Sequence, residues 1–150
     1  MEFKYDFFIA GRTRNKDNIL KICDIFDKYS LTYYCFLKNE DTMNSYGSKD
    51  NSEEENMKEF ESLGLKSDVV LKIFNEDLDN EKASENFLLV LSAGKSGHIE
   101  AGIAYGMGKK CYAVGEFDAT DSLYNIFEDI FEDEKQLESF IKKYKTTRTI

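Results

Sequence analysis

The chain has 150 residues, a net charge of −9 and a pI near 4.7. That length predicts one domain, residues 1–150, with a sizeable core, and the acidic balance excludes an extended phosphate-binding surface for nucleic acid. The start, Met1-Glu-Phe-Lys-Tyr-Asp6, is charged where a signal peptide is apolar, and no apolar run reaches membrane-spanning length, so the expectation is a cytoplasmic protein with no membrane partner.

Phe3 to Ala10 predicts a first strand, stopped by Gly11. Arg12-Thr-Arg-Asn-Lys16 leads into a helix whose apolar positions Ile19, Ile22, Cys23 and Phe26 follow the i, i+3, i+4, i+7 pattern. The first βα loop therefore combines a glycine with three cations. Backbone N–H groups at the helix start, with Arg12 or Arg14, would suit a phosphate or carboxylate; solvated basic side chains on an acidic protein are the alternative. Leu31 to Leu37, rich in aromatic and β-branched residues, predicts a second strand. Lys38 to Asn56 is a long polar loop without periodicity, closing on Glu53-Glu-Glu55.

Met57, Phe60 and Leu63 mark a short helix interrupted by Gly64. A longer helix is expected from a Ser67 cap to about Lys82, with Val70, Ile73 and Phe74 as its apolar stripe. Asp77 stands seven residues beyond Val70, four beyond Ile73 and three beyond Phe74, so helical geometry sets this carboxylate on or beside the buried face. An acid there is costly unless it is paired or functional.

Phe87 to Leu91 is an unbroken apolar run, the pattern of a strand buried on both faces. A loop from Ser92 to Gly97, a compact helix from Ile99 to about Met107 and an apolar strand from Cys111 to Val114 complete a βαβ unit, which implies parallel strands and a right-handed crossover. Glu100 falls in the first turn of that helix, beyond the carboxyl end of a central strand, where open α/β sheets bind ligands. Spacing also suits a capping role: with Gly97 as N-cap, Glu100 takes the third helical position and complements the macrodipole. Gly115 to Ser122 reads as a loop, Leu123 to Phe131 as a short helix and a turn, and Glu134 to Lys145 as a last amphipathic helix with Leu137, Phe140, Ile141 and Tyr144 inward. Thr146 to Ile150 reads as a loose tail.

Cys23, Cys35 and Cys111 lie in apolar segments and fit no zinc spacing, so they read as reduced core thiols. His98 is the only histidine and has no Cys or His companion, which argues against a metal. Gly94-Lys-Ser96 echoes a phosphate-binding P-loop, but the glycine required five residues earlier is Leu89, and no Gly-x-Gly-x-x-Gly follows a strand.

Three blocks carry a family resemblance: Phe7-Phe-Ile-Ala-Gly-Arg12, Ile73-Phe-Asn-Glu-Asp-Leu78, and Ser96-Gly-His-Ile-Glu-Ala-Gly-Ile-Ala-Tyr-Gly-Met-Gly-Lys109. In order and spacing they resemble the landmarks of the nucleoside 2-deoxyribosyltransferase family, whose superfamily includes deoxynucleoside 5′-monophosphate N-glycosidases. The resemblance covers roughly residues 3 to 115. It implies an α/β, flavodoxin-like three-layer sandwich with a mainly parallel sheet of five strands. It also implies cleavage of an N-glycosidic bond, with Glu100 as the carboxylate that attacks C1′ and Asp77 as an acid that orients or protonates the reacting groups. A 5′-phosphate would rest on Gly11 to Asn15 and Gly94 to Gly97, with Arg12, Arg14, Asn15, Lys95 and Ser96 as contacts and Phe8 and His98 beside them. No cofactor or metal is implied. The expected partner is a small nucleoside or nucleotide, and a homo-oligomer is expected because the family often completes its site from a neighbouring subunit.

Two positions depart from that pattern. Phe8 stands where the family commonly has Tyr, and Gly94 where the transferase branch has Asp. Both changes remove polar partners of the substrate and favour hydrolysis over transfer between free nucleosides. A nucleotide-binding or sensing module with weakened catalysis, and hydrolysis of an NAD-type dinucleotide, are the alternatives.

Overall fold

A computed structural model describes residues 2–39, 55, 58, 61–116 and 121–148. The polar loop to Asn56, with its acidic run, and the Met57 and Phe60 positions of the short helix lie largely outside the described residues. So do the middle of the Gly115 to Ser122 loop and the last two residues of the tail.

Five strands form one sheet: β1 Tyr5–Ala10, β2 Tyr33–Cys35, β3 Ser84–Val90, β4 Lys110–Val114 and β5 Phe127–Phe131. Their order is β2-β1-β3-β4-β5, and every neighbouring pair is parallel. The helices with described bounds that accompany them are α1 Lys16–Lys28, α2 Asp68–Lys82, α3 Lys95–Gly106 and α4 Glu134–Arg148. The expected flavodoxin-like α/β architecture is present.

Side chains alternate across each strand, so the sheet feeds two cores. On one face Phe7, Ile9, Leu88, Val90 and Val114 meet Ile19, Ile22 and Phe26 of α1 and Leu137 and Ile141 of α4. On the other, Phe8, Ala10, Phe87, Leu89, Cys111 and Ala113 meet Ala101 and Ala104 of α3. Burial of each large apolar side chain contributes roughly 1.5–3 kcal/mol. The three cysteines are free and buried within these cores.

Several local expectations change. In Leu123 to Phe131 the expected short helix is a 3₁₀ helix, Ser122–Ile126, but in place of the expected turn Phe127–Phe131 is the fifth strand. As an edge strand pairing only with β4, it exposes Glu128 and Asp129, which hid its strand character. The second strand shrinks to Tyr33–Cys35, and a 3₁₀ turn follows at Phe36–Lys38. The tail is not loose as far as Arg148, which ends α4 and binds Glu85 at 2.7 Å.

Gly115 closes β4 with φ of 120° and receives the main chain of β3, because an added Cβ would lie 2.8 Å from the Leu91 carbonyl oxygen. Gly115→Ala is therefore expected to cost about 1–3 kcal/mol, lowering the melting temperature by roughly 3–10 °C in a thermal unfolding scan.

Candidate functional site

In the order β2-β1-β3-β4-β5 the connection direction reverses between β1 and β3. At such a point the loops leaving the two strands are where open α/β sheets hold ligands, at the carboxyl edge of the sheet. The loop after β1 holds Gly11, Arg12 and a 3₁₀ turn at Thr13–Asn15. The loop after β3 runs from Leu91 to Gly94, the N-cap of α3. Asn15 ties the two loops together: its side-chain amide donates to the Leu91 carbonyl at 3.2 Å. The expected phosphate-contact segments thus leave the carboxyl ends of adjacent strands, with Arg14, Lys95 and Ser96 exposed and Arg12 half-buried.

Helix α3 begins earlier than the sequence suggests. Gly94, not Gly97, is its N-cap, so Lys95, Ser96 and Gly97 form the first turn. Gly97 is needed for close approach: an added Cβ would lie 2.8 Å from Leu89 Cδ1 and 3.2 Å from Ala93 Cβ. Glu100 is consequently the sixth helical residue, and the first turn of α3 holds no acid. The capping role is removed, since only the first four N–H groups of a helix lack partners.

The charges that bear on Glu100 are instead those of two other acids. Its carboxyl is pushed up to about 8, first by burial, then by the charges of Asp77 and Glu81 on α2. Asp77 is half-buried and raised to about 6, by burial and then by Glu76. Glu81 is fully buried and raised to about 7, by burial and then by Asp77, while Lys109 acts in the opposite sense. Three carboxyls of α2 and α3 therefore compete for protons near neutral pH, whereas ordinary carboxylates are ionised far below it.

Glu81 is the functional candidate that sequence reasoning missed. Its signal was present: it lies four residues beyond Asp77 on the same helical stripe. That stripe is unusual. Ser67 caps α2, its hydroxyl accepting from Val70 N at 3.4 Å, but Phe74 is 51% exposed rather than inward, and the one fully buried residue of the helix is Glu81.

Other expected contacts have structural partners. Phe8 is 2% exposed, stacked with Tyr34 at 5.2 Å and Phe87 at 5.8 Å, so its ring serves the core. His98 Nδ1 lies 3.2 Å from the Tyr124 hydroxyl, which joins α3 to the 3₁₀ segment before β5. Two cavities lie away from the three acids. One of about 350 Å³ is lined by Asn18, Gly115 and Glu132 among others, and one of about 570 Å³ by Tyr5, Tyr34 and Lys38 among others. Among the described residues, no group of three or more His, Cys, Asp or Glu side chains is arranged to hold a metal ion, and no helix is long and apolar enough to cross a membrane.

The sequence matches no protein-family model and no curated protein. Its fold matches solved structures. The TIR domain of the Toll-related receptor TRR-2 from Hydra magnipapillata superposes with a TM-score of 0.56 at 10% identity, covering 97% of this chain and 98% of that one. The CMP N-glycosidase BcmB from Clostridium botulinum superposes with a TM-score of 0.55 at 17% identity, covering 92% of this chain and 98% of that one. At such identities the likeness is one of fold.

Proposed function

We propose that the chain is a hydrolase of the N-glycosidic bond of a nucleotide or nucleoside, with Glu100 as nucleophile and Asp77 as its proton-transferring partner. The observation that carries this reading is a half-buried carboxyl held by no cap or ion pair among the described residues, within the electrostatic reach of a second acid, on the helix that follows β3. A fold shared with a CMP N-glycosidase supports it.

The chemistry requires an attacking carboxylate and a proton donor. Glu100 attacks C1′ as the C1′–N bond breaks; the base leaves with the bonding pair and takes a proton from Asp77. Water then attacks C1′ of the glycosyl ester, Asp77 takes its proton, and Glu100 is released as carboxylate. The working form carries one proton across the Asp77–Glu100 pair. In the free protein that proton rests on Glu100, and its transfer to Asp77 converts the resting form into the working one. The developing positive charge on the sugar favours this transfer, because it stabilises an ionised Glu100. Base release is therefore expected to follow a bell-shaped pH profile, with its maximum between about 6 and about 8, the values to which Asp77 and Glu100 are raised.

Lys95, Ser96 and the N-terminus of α3, with Arg12 and Arg14 of the loop after β1, suit a 5′-phosphate. A second copy of the chain belongs to this reading: Ile99 and Tyr105 on α3 and Leu123 after β4 are 62%, 55% and 74% exposed. The test is incubation with nucleosides, 5′-nucleotides including CMP, and NAD, with released base followed by chromatography. Base release from a 5′-nucleotide that disappears in Glu100→Ala is the expected result. Ligand-dependent thermal stabilisation without released base would make the chain a binding module instead.

A further inference from the structure

Three polar residues are buried among the described residues: Glu81, Ser84 and Asn86. Two of them are satisfied. Ser84 Oγ donates to the Asn80 carbonyl at 2.7 Å, and Asn86 Nδ2 donates to the Asp6 carbonyl at 3.0 Å. Glu81 is 0% exposed, and neither carboxyl oxygen has a hydrogen-bond partner among the described residues. An unbonded buried carboxyl is destabilising, and nothing in local helix geometry requires one at this position.

Asp77 stands one helical turn earlier on α2, and the charge of Glu81 is also felt by Glu100 of α3 and by Lys109 and Cys111 at the start of β4. Lys109 is the one cation among them, and its ammonium is already engaged: it donates to the carbonyls of Lys82, which ends α2, and Ser84, which opens β3. The acids are graded in depth. Glu81 lies in the interior, while Asp77 and Glu100 are only part-buried.

We infer that Glu81 is a positioning residue for the Glu100 site: its buried carboxyl shares protons with Asp77 and Glu100, so that the charge on Glu81 holds the last proton on Glu100. This rests on the reading of Glu100 as nucleophile. Glu81 touches no substrate; it acts through Glu100. When Glu81 ionises, a second negative charge in a water-poor site makes ionisation of Glu100 harder. The protonated pair then survives to higher pH, and with it the working form of the enzyme.

The test needs no substrate. Side-chain carboxyl carbons of ¹³C-glutamate-labelled protein are titrated by NMR, with Glu100→Gln used to assign the Glu100 signal. Glu81→Gln is expected to lower the Glu100 midpoint by roughly one pH unit, and the alkaline limb of base release is expected to fall by the same amount. A Glu100 midpoint unmoved in Glu81→Gln overturns the inference, even if base is released. Absence of base release with a shifted midpoint leaves the proton coupling standing and removes the enzymatic reading alone. Should Glu81→Gln fail to fold, Glu81→Leu removes the same charge without a hydrogen-bond requirement and is read the same way; failure of both to fold would mark Glu81 as structural and overturn the positioning role.

Discussion

Glu100→Gln is expected to reduce base release by at least about 10³-fold, since the substitution keeps size and shape while removing the nucleophilic charge. The same change is expected not to lower the melting temperature at pH 8. Glu100 forms no cap of α3, and its carboxyl is opposed by burial and by the charges of Asp77 and Glu81. Replacing it with a neutral amide removes that opposition at high pH. A structural acid behaves otherwise: its loss lowers stability and activity together. The decisive measurement is therefore the pair of readings on one variant, chromatography of released base and a thermal scan at pH 8. Lost turnover with a retained or raised melting temperature supports a functional carboxyl. Lost turnover together with a large fall in melting temperature would assign Glu100 to the fold.

The sheet and its flanking helices were legible where periodicity was strong. Ile19, Ile22, Cys23 and Phe26 of α1, and Leu137 and Ile141 of α4, are buried as their spacing required. Asp77 is half-buried, but the Val70, Ile73 and Phe74 stripe that located it is not a buried face: Val70 and Ile73 are half-buried and Phe74 is exposed. Illegibility had three physical sources. Helix α3 is rich in glycine and carries apolar residues both inward, at Ala101 and Ala104, and outward, at Ile99 and Tyr105, so no amphipathic signal marked its first turn, and Ser96 and Gly97 read as loop. Strand β5 carries Glu128 and Asp129 at a sheet edge, where polarity is tolerated and the strand pattern fades. The acid cluster depends on where the sheet sets α2 relative to α3, a relation between segments about twenty residues apart that no local pattern expresses. Glu81 shows the same limit at one position: the spacing that singled out Asp77 continues to it, but only the fold turns it into a buried, unbonded neighbour of Glu100.

Thermal stability is expected to fall as pH rises from about 4.5 to about 8, and Glu81→Leu is expected to flatten that slope. The sign follows from linkage. Asp77, Glu81 and Glu100 have values of about 6, 7 and 8 in the folded chain, above the ordinary 3.8, 4.5 and 4.5. Over that range the folded state binds more protons than the unfolded one, so unfolding becomes easier as pH increases. The favourable contribution of each protonated acid is complete below its ordinary value and is lost as pH climbs through its folded value. For Glu81, raised from 4.5 to about 7, the loss is about 3 kcal/mol once pH exceeds 7. Leucine has no charge to bury and no lone pairs to satisfy, and replacement of an unpaired buried acid by an apolar side chain removes its desolvation cost. At pH 8 the variant is expected to melt roughly 6–12 °C higher than the parent, while at pH 4 the gap narrows, because protonation of Glu81 removes the charge part of the cost and leaves only that of a neutral unbonded carboxyl. Scans of both proteins at pH 4, 6 and 8 decide the matter. Parallel melting curves at all three pH values would mean that Glu81 finds a partner when ionised, and the proton-sharing role would fall with that result.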